Sequence, residues 1–347
     1  VAEKCYKVIP GTEEILSLAN VRETETIWSN ADAHIIHLGD GIINVEFHTK
    51  MNTIGGGVLQ ALNKAIDLAE TGEWKGVVIS NEGENFSAGA NVGMIFMMAV
   101  EQEFDELDFA VRAFQNTMMR LRYSAIPVIA APHGLALGGG CEICLHADKV
   151  IAHAETYTGL VEFGVGLIPG GGGTKEFALR NADELKEGDM RINNLRNRFL
   201  TVGQAKVATS AHEGFELGYY RPGVDEVIVS RAHQLIYAKE VCLEMANKGY
   251  QQPARRKDVK VFGQEGLGIV YVGADAMHAG KYISDHDKLI SEKLGFVLCG
   301  GDLSSPTEVS EQYLLDMERK AFLELCAEKK TLERLQSLLQ TGKILRN

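Results

Sequence analysis

The sequence predicts an α/β fold followed by a helical C-terminal region, on three observations. Short apolar, β-branched runs alternate with helical periodicity from residue 33 to about residue 180. Glycine runs at Gly138–Gly140 and Gly170–Gly173 sit in turns of that pattern, the first where a strand gives way to a helix. Beyond Asn181 the texture changes to charged stretches with apolar residues at helical spacing.

Residues 1–30 read as a polar, irregular N-terminal segment. The apolar runs Ala33–Leu38 and Ile42–Phe47 flank Gly39-Asp40-Gly41, a hairpin signal. Val58, Leu62, Ala65 and Ala69 predict a helix over 55–71, and Gly76–Ser80 reads as a buried strand before a loop at 81–90. Phe104, Leu107, Val111, Phe114, Met118 and Leu121 share one face of a long helix, a stripe expected to be core. Pro127–Ala131 and Lys149–Ala152 are strands, with the Gly138–Gly140 turn and a short helix between them. Further helices are expected over 181–198, 205–218, 230–248 and most of 308–339, with 250–258 as an exposed linker. The resulting division is 1–30, a core at 31–200 and a helical region at 201–347.

Composition narrows the function. With 45% hydrophobic and 24% charged residues, 347 residues can bury a large core. A net charge of −12 speaks against a nucleic-acid partner. No apolar run reaches the roughly 18 residues a membrane span needs. The six cysteines are scattered apart from Cys141 and Cys144, which suggests a reduced, cytoplasmic protein. The Cys141-x-x-Cys144 pair, lacking a second pair, reads as helix packing, and no metal is expected. The chain opens on Val1 rather than Met, which is expected of a piece of a larger protein.

The chemistry concentrates in Leu135–Glu142 and in Glu162, which stands shortly before Gly170–Gly173. Three consecutive glycines let main-chain N–H groups approach a ligand with no Cβ in the way, and the following helix points its positive end at the same spot. Two carboxylates beside such donors suit acid–base work on a substrate that develops an oxyanion. Ser87–Asn91 is a third small-residue loop after a buried strand. Together, in this order and spacing, the three segments resemble the crotonase (enoyl-CoA hydratase/isomerase) superfamily over roughly residues 33–180. Asn91 stands where that family usually has Asp.

The resemblance implies a crotonase-like spiral of ββα units. It further implies an oxyanion hole from the amides of Ala90 and Gly139 and catalytic carboxylates at Glu142 and Glu162. His48, Lys50, Met51, Ser87, Ala88 and Gly138 would line the site of the acyl-CoA thioester. Coenzyme A would be part of the substrate, with no cofactor needed, and the family's habit implies a homo-oligomer. Segments such as Glu216–Tyr219, Ile283–Asp287 and Glu311–Leu314 resemble the C-terminal portion of fusion proteins with a 3-hydroxyacyl-CoA dehydrogenase half upstream. No Gly-x-Gly-x-x-Gly opens a helix after a strand here, so the hydride-transfer machinery lies outside these residues.

Other signals are set aside. Gly170–Lys175 has the wrong order for a phosphate loop, and Asp285-His286-Asp287 reads as a helix cap rather than a metal cluster. The expected reaction is hydration of a 2-trans-enoyl-CoA in fatty-acid β-oxidation. The alternatives are a double-bond isomerase, an acyl-CoA hydrolase or a non-catalytic assembly module.

Overall fold

The computed structural model describes residues 15–185 and 191–347. The chain opens with α1 (Leu18–Glu25), β1 (Thr26–Ser29), β2 (Ala33–His37) and β3 (Ile42–Phe47), then α2 (Gly56–Glu70), β4 (Gly76–Ile79), α3 (Val92–Val100) and α4 (Phe104–Arg122). The next group is β5 (Val128–Ala130), β6 (Gly134–Leu137), α5 (Gly139–His146), β7 (Lys149–His153) and β8 (Thr156–Gly159). Then come α6 (Gly173–Glu184), α7 (Arg191–Gly203), α8 (Ala211–Glu216), β9 (Glu226–Ile228) and α9 (Arg231–Asn247). The remainder is β10 (Val259–Val261), α10 (Gln264–Ala279), α11 (Asp285–Leu298), β11 (Thr307–Val309), α12 (Glu311–Cys326) and α13 (Lys329–Thr341).

A seven-stranded sheet in the order β1-β2-β3-β4-β5-β7-β9 forms the centre. The first three strands are antiparallel, and pairing from β3 onward is parallel. Its middle strands are buried on both faces, as a covered parallel sheet requires. Alternation sorts the two faces. Ile43, Val45, Val77 and Ile79 share a core with Val58, Leu62 and Ala65 of α2. Ile42, Val78, Ile129 and Ile151 meet Leu235, Ala238 and Cys242 of α9.

A second, two-stranded parallel sheet, β6–β8, matters most for the site. Its register pairs Leu137 with Gly159, so the turn after β6 and the loop after β8 leave the same edge side by side. Glycine makes that turn possible: Gly138 holds φ +51° and its N–H donates to Gly159 O at 2.8 Å.

Several expectations need correction. Part of the segment 1–30 is regular, since Leu18–Glu25 is helix and Thr26–Ser29 pairs with β2; residues 1–14, with Cys5, lie outside the described residues. Helix α3 was not expected, because Val92–Val100 is apolar nearly throughout and shows no one-sided stripe. The side chain of Asn91 accepts from Met94 N at 3.3 Å as its N-cap, a task Asn performs as well as Asp. Residues 205–210 are not helical. Ala205 is left-handed at φ +48°, and Ala208 is bonded to Thr158 of β8 in both directions. The core also extends past residue 200, because β9 at 226–228 joins the central sheet. Of the expected helix 181–198, residues 186–190 lie outside the described part.

Behind the site α5, α6 and α12 enclose a layer of buried charge. Lys175, fully buried, reaches His146 Nε2 at 3.1 Å, Glu176 at 2.5 Å and Glu311 at 3.0 Å. Arg122 pairs with Glu176 at 3.0 Å, and the Tyr123 hydroxyl donates to Glu311. His146 Nδ1 lies 2.7 Å from Glu142 O, and burial beside Lys175 holds the ring well below its ordinary pKa. Neutral His146 thus suits both contacts, donating through Nδ1 and accepting from Lys175 through Nε2. Cys141 and Cys144 are buried free thiols, as their packing role requires.

Candidate active site

Three loops meet at the edge of β6–β8. The loop 87–91 is tied to the β6 edge by Ser87 N donating to Leu135 O and Leu137 N donating to Ser87 O. It is tied to the loop 50–54 by Ala88 N donating to Met51 O and Ile54 N to Gly89 O. These bonds bring Ala90 against Gly139: a Cβ built on Gly139 would lie 3.2 Å from Ala90 N and 2.9 Å from Phe114 Cζ. Among the described residues neither the Ala90 nor the Gly139 amide donates a hydrogen bond. Two unspent N–H groups at one spot, one at the first turn of α5, form a donor pair suited to an oxyanion.

The carboxylates flank that pair. Glu142, one turn into α5, is buried, and its Oε1 accepts from Gly171 N and Gly173 N, both at 2.8 Å. Glu162 opens a short 3₁₀ turn, Glu162–Val165, after β8. Its Oε1 lies so near Gly138 that a Cβ there would meet it at 2.9 Å, and its Oε2 is buried without a partner. Burial raises the pKa of both groups, and for Glu142 the nearby charge of Glu162 adds to the rise.

The substrate-lining residues divide. Ser87, Ala88 and Gly138 belong to this cluster, but the Ser87 hydroxyl is committed to scaffolding, donating to Asn52 O at 2.7 Å and accepting from Gly89 N at 3.1 Å. Met51 leads the left-handed pair Met51–Asn52 and is 49% exposed on the adjoining loop. Lys50 and His48 are exposed, and His48 stacks on His34 with ring centroids 4.4 Å apart. None of the predicted site residues lines the cleft of about 860 Å³ near Phe163, whose walls include Lys281, Tyr282, Lys330 and Arg346.

Three contributors escaped the sequence reading. Phe114, taken as core, puts its ring against both Gly139 and Gly171. The amides of Gly171–Gly173 serve carboxylates rather than phosphate, Gly171 and Gly173 for Glu142 and Gly172 for Glu318. Glu318 of α12 is fully buried, and its signal is an acid at heptad spacing from Glu311 on the apolar stripe Leu314, Leu315, Phe322 and Leu325. The Asp285–Asp287 segment is the cap expected: Ser284 accepts from Asp287 N, and Asp287 answers in a capping box.

Residues 38–182 match the family described as "Enoyl-CoA hydratase/isomerase". The fold agrees with solved structures. The enoyl-CoA hydratase of Bacillus halodurans superposes with a TM-score of 0.60 at 16% identity, covering 89% of this chain and 100% of that one. An enoyl-CoA hydratase/isomerase of Mycobacterium paratuberculosis gives 0.58 at 15% identity, covering 89% and 99%. Over residues 38–182 the chain is similar to the enoyl-CoA hydratase/isomerase family, and its fold is that of the solved enoyl-CoA hydratases. Along nearly its whole length it is similar to a Bacillus subtilis protein named "Probable 3-hydroxyacyl-CoA dehydrogenase", at 42% identity over 99% of this chain and 43% of the relative. A Rickettsia prowazekii protein provisionally named a "fatty acid oxidation complex trifunctional enzyme" is 31% identical over 92% of this chain and 40% of its own length. The chain thus spans about two fifths of these curated relatives.

Proposed function

We propose that the chain hydrates 2-trans-enoyl-CoA thioesters to 3-hydroxyacyl-CoA in fatty-acid β-oxidation, as the hydratase part of a longer protein with a dehydrogenase half. The observation that carries the reading is the meeting of two unspent amides, Ala90 and Gly139, with two buried acids, Glu142 and Glu162. The names of the longer relatives support the pathway and the fusion.

The environments of the acids support a division of roles. Burial raises Glu142 no less than Glu162, but Glu142 carries two main-chain donors on one oxygen, which favours its charged form. Glu162 keeps an oxygen with no donor, which suits the protonated acid. Glu142 therefore takes a proton from water as its oxygen bonds to Cβ. The Cα=Cβ electron pair moves onto the thioester oxygen, where the Ala90 and Gly139 amides hold it. Glu162 then protonates Cα as the enolate collapses, and a proton passed from Glu142 to Glu162 restores the start. Each amide of such a hole contributes on the order of 3–4 kcal/mol. Hydration is redox-neutral, so the reaction calls for no cofactor beyond the coenzyme A of the substrate.

Lys50 and His48 are exposed beside the loop that adjoins the site, and Lys50 suits a phosphate of coenzyme A. The exposed apolar residues Met94, Met97, Val100 and Phe109 suit burial against a second copy, as a homo-oligomer needs. Among the described residues no helix is long and apolar enough to cross a membrane, and we place the enzyme in the cytoplasm.

The test is loss of the enoyl-thioester absorbance of crotonyl-CoA with identification of the 3-hydroxy product. Wild-type turnover abolished by Glu142→Gln supports the hydratase. Wild-type protein that binds the thioester without turnover rejects it in favour of an assembly module. Survival of 3-enoyl-CoA isomerisation in Glu142→Gln, with hydration lost, moves the assignment to an isomerase.

A further inference from the structure

The glycine turn before α6 holds two acids, not one. Its amides alternate. Gly171 and Gly173 donate to Glu142, while Gly172 donates to Glu318 Oε1 at 2.6 Å and Lys175 N donates to Glu318 Oε2 at 3.0 Å. Glu318 comes from α12, nearly 150 residues downstream of the turn (its hydrogen bond to Gly172 spans 146 positions). Among the described residues it has no cationic partner, and its remaining contact there is Gln115 Nε2 at 3.2 Å. Gln115 is itself braced by Arg319, which donates to its Oε1 at 3.2 Å.

We propose that Glu318 is a positioning residue for the hydration: by taking the alternate amides of the glycine turn, it fixes the two that hold Glu142. This rests on the proposed hydratase activity and adds a member to its machinery. All the groups bonded to Glu318 are donors, so no acceptor awaits a proton and the carboxylate is the form that fits. The positive end of α6 supports both carboxylates. Its charge opposes ionisation of Glu162, while burial and then the charge of Glu142 push Glu318 itself up to about 8, against the pull of its donors.

The charge of Lys175 eases ionisation of Glu142, but among the described residues no nearby cation is bonded to Glu318. Lys175, on α6, turns its ammonium to His146, Glu176 and Glu311. Arg122, on α4, serves Glu176 and Glu311, and Arg319 serves Asp108 and Asp316. Helix α3 carries no charge, α11 meets α12 through Lys293 and Glu324, and α13 directs Arg334 to Asp287. What faces Glu318 is therefore Gln115, the amides and the two catalytic acids.

The experiment is the pH profile of crotonyl-CoA hydration by wild type and Glu318→Gln, each checked for folding by circular dichroism. Where Glu318 is ionised, removing its charge is expected to move the kcat/KM profile to lower pH. Because the amide nitrogen then opposes Lys175 N–H, kcat should fall ten- to a hundredfold while KM stays within twofold. A profile superimposable on wild type overturns the proposal and leaves the hydratase standing. An inactive wild type removes both. Should Glu318→Gln not fold, Gln115→Leu takes its place: a several-fold loss in kcat with KM unchanged supports the proposal, and unaltered kcat overturns it.

Discussion

Gly139→Ala tests the donor pair at its narrowest point. The added methyl would stand 3.2 Å from Ala90 N, 3.3 Å from Ile54 Cδ1 and 2.9 Å from Phe114 Cζ. An oxyanion must lie about 2.7–3.1 Å from both amides, so the methyl competes for the space the oxygen needs. Gly139 opens α5 with ordinary helical backbone, and Ala there gains up to ~1 kcal/mol of helix propensity. Displacing the Phe114 ring costs about 1–3 kcal/mol, as overpacking does. The balance is a loss of roughly 0–2 kcal/mol, a few degrees in Tm by calorimetry. Catalysis should suffer more, by about 10²–10³ in kcat, the loss typical of one oxyanion donor. The assay is initial-rate hydration of crotonyl-CoA alongside the melting curve. A folded variant with kcat within threefold of wild type would refute the placing of the oxygen at this pair.

Three further variants follow from the same geometry. Glu162→Gln should lose about 10²–10⁴ in hydration, the span of general acid–base catalysis, read by steady-state kinetics. The same variant should melt higher than wild type at neutral pH. Burial raises Glu162 from 4.5 to about 7, so its charge costs the fold stability above 4.5, and that cost disappears as pH falls. The gain at pH 8 is on the order of 1–3 kcal/mol, and a difference in Tm that does not shrink between pH 8 and pH 5 would contradict it. Glu176→Gln leaves Lys175 and Arg122 short of a carboxylate in a buried layer and should cost about 3–5 kcal/mol by denaturant unfolding. Gly172→Ala asks a left-handed backbone, φ +104°, to carry a methyl 2.8 Å from the His146 ring, and a soluble, fully active variant would contradict that fit.

Much of this site was legible from local chemistry. The glycines at 138–140 precede a helix and follow a strand, and the apolar alternation of the hairpin and of α2 left little freedom. The strands β6 and β8 were less visible: Gly134–Leu137 runs straight into the glycine turn, and Thr156–Gly159 has no bounded apolar run. Phe114 shows how periodicity misleads. It shares a stripe with Leu107, Val111 and Met118, which are buried, and packs partly buried against the same core, yet its ring also lies against Gly139 and Gly171. Glu318 depends on a tertiary contact across 146 positions, and no local rule reports such a partner. The segment 205–210 had helical composition, but bonding to Thr158 outweighed that propensity.

A crystal structure with a 3-ketoacyl-CoA, an analogue that cannot be hydrated at Cβ, interrogates the central arrangement most directly. The thioester oxygen should rest about 2.7–3.1 Å from the nitrogens of both Ala90 and Gly139, with Glu142 and Glu162 on either side of Cα and Cβ. An acyl group lodged instead in the cleft beside Tyr282 and Lys281, or an oxygen bonded to neither amide, would contradict it.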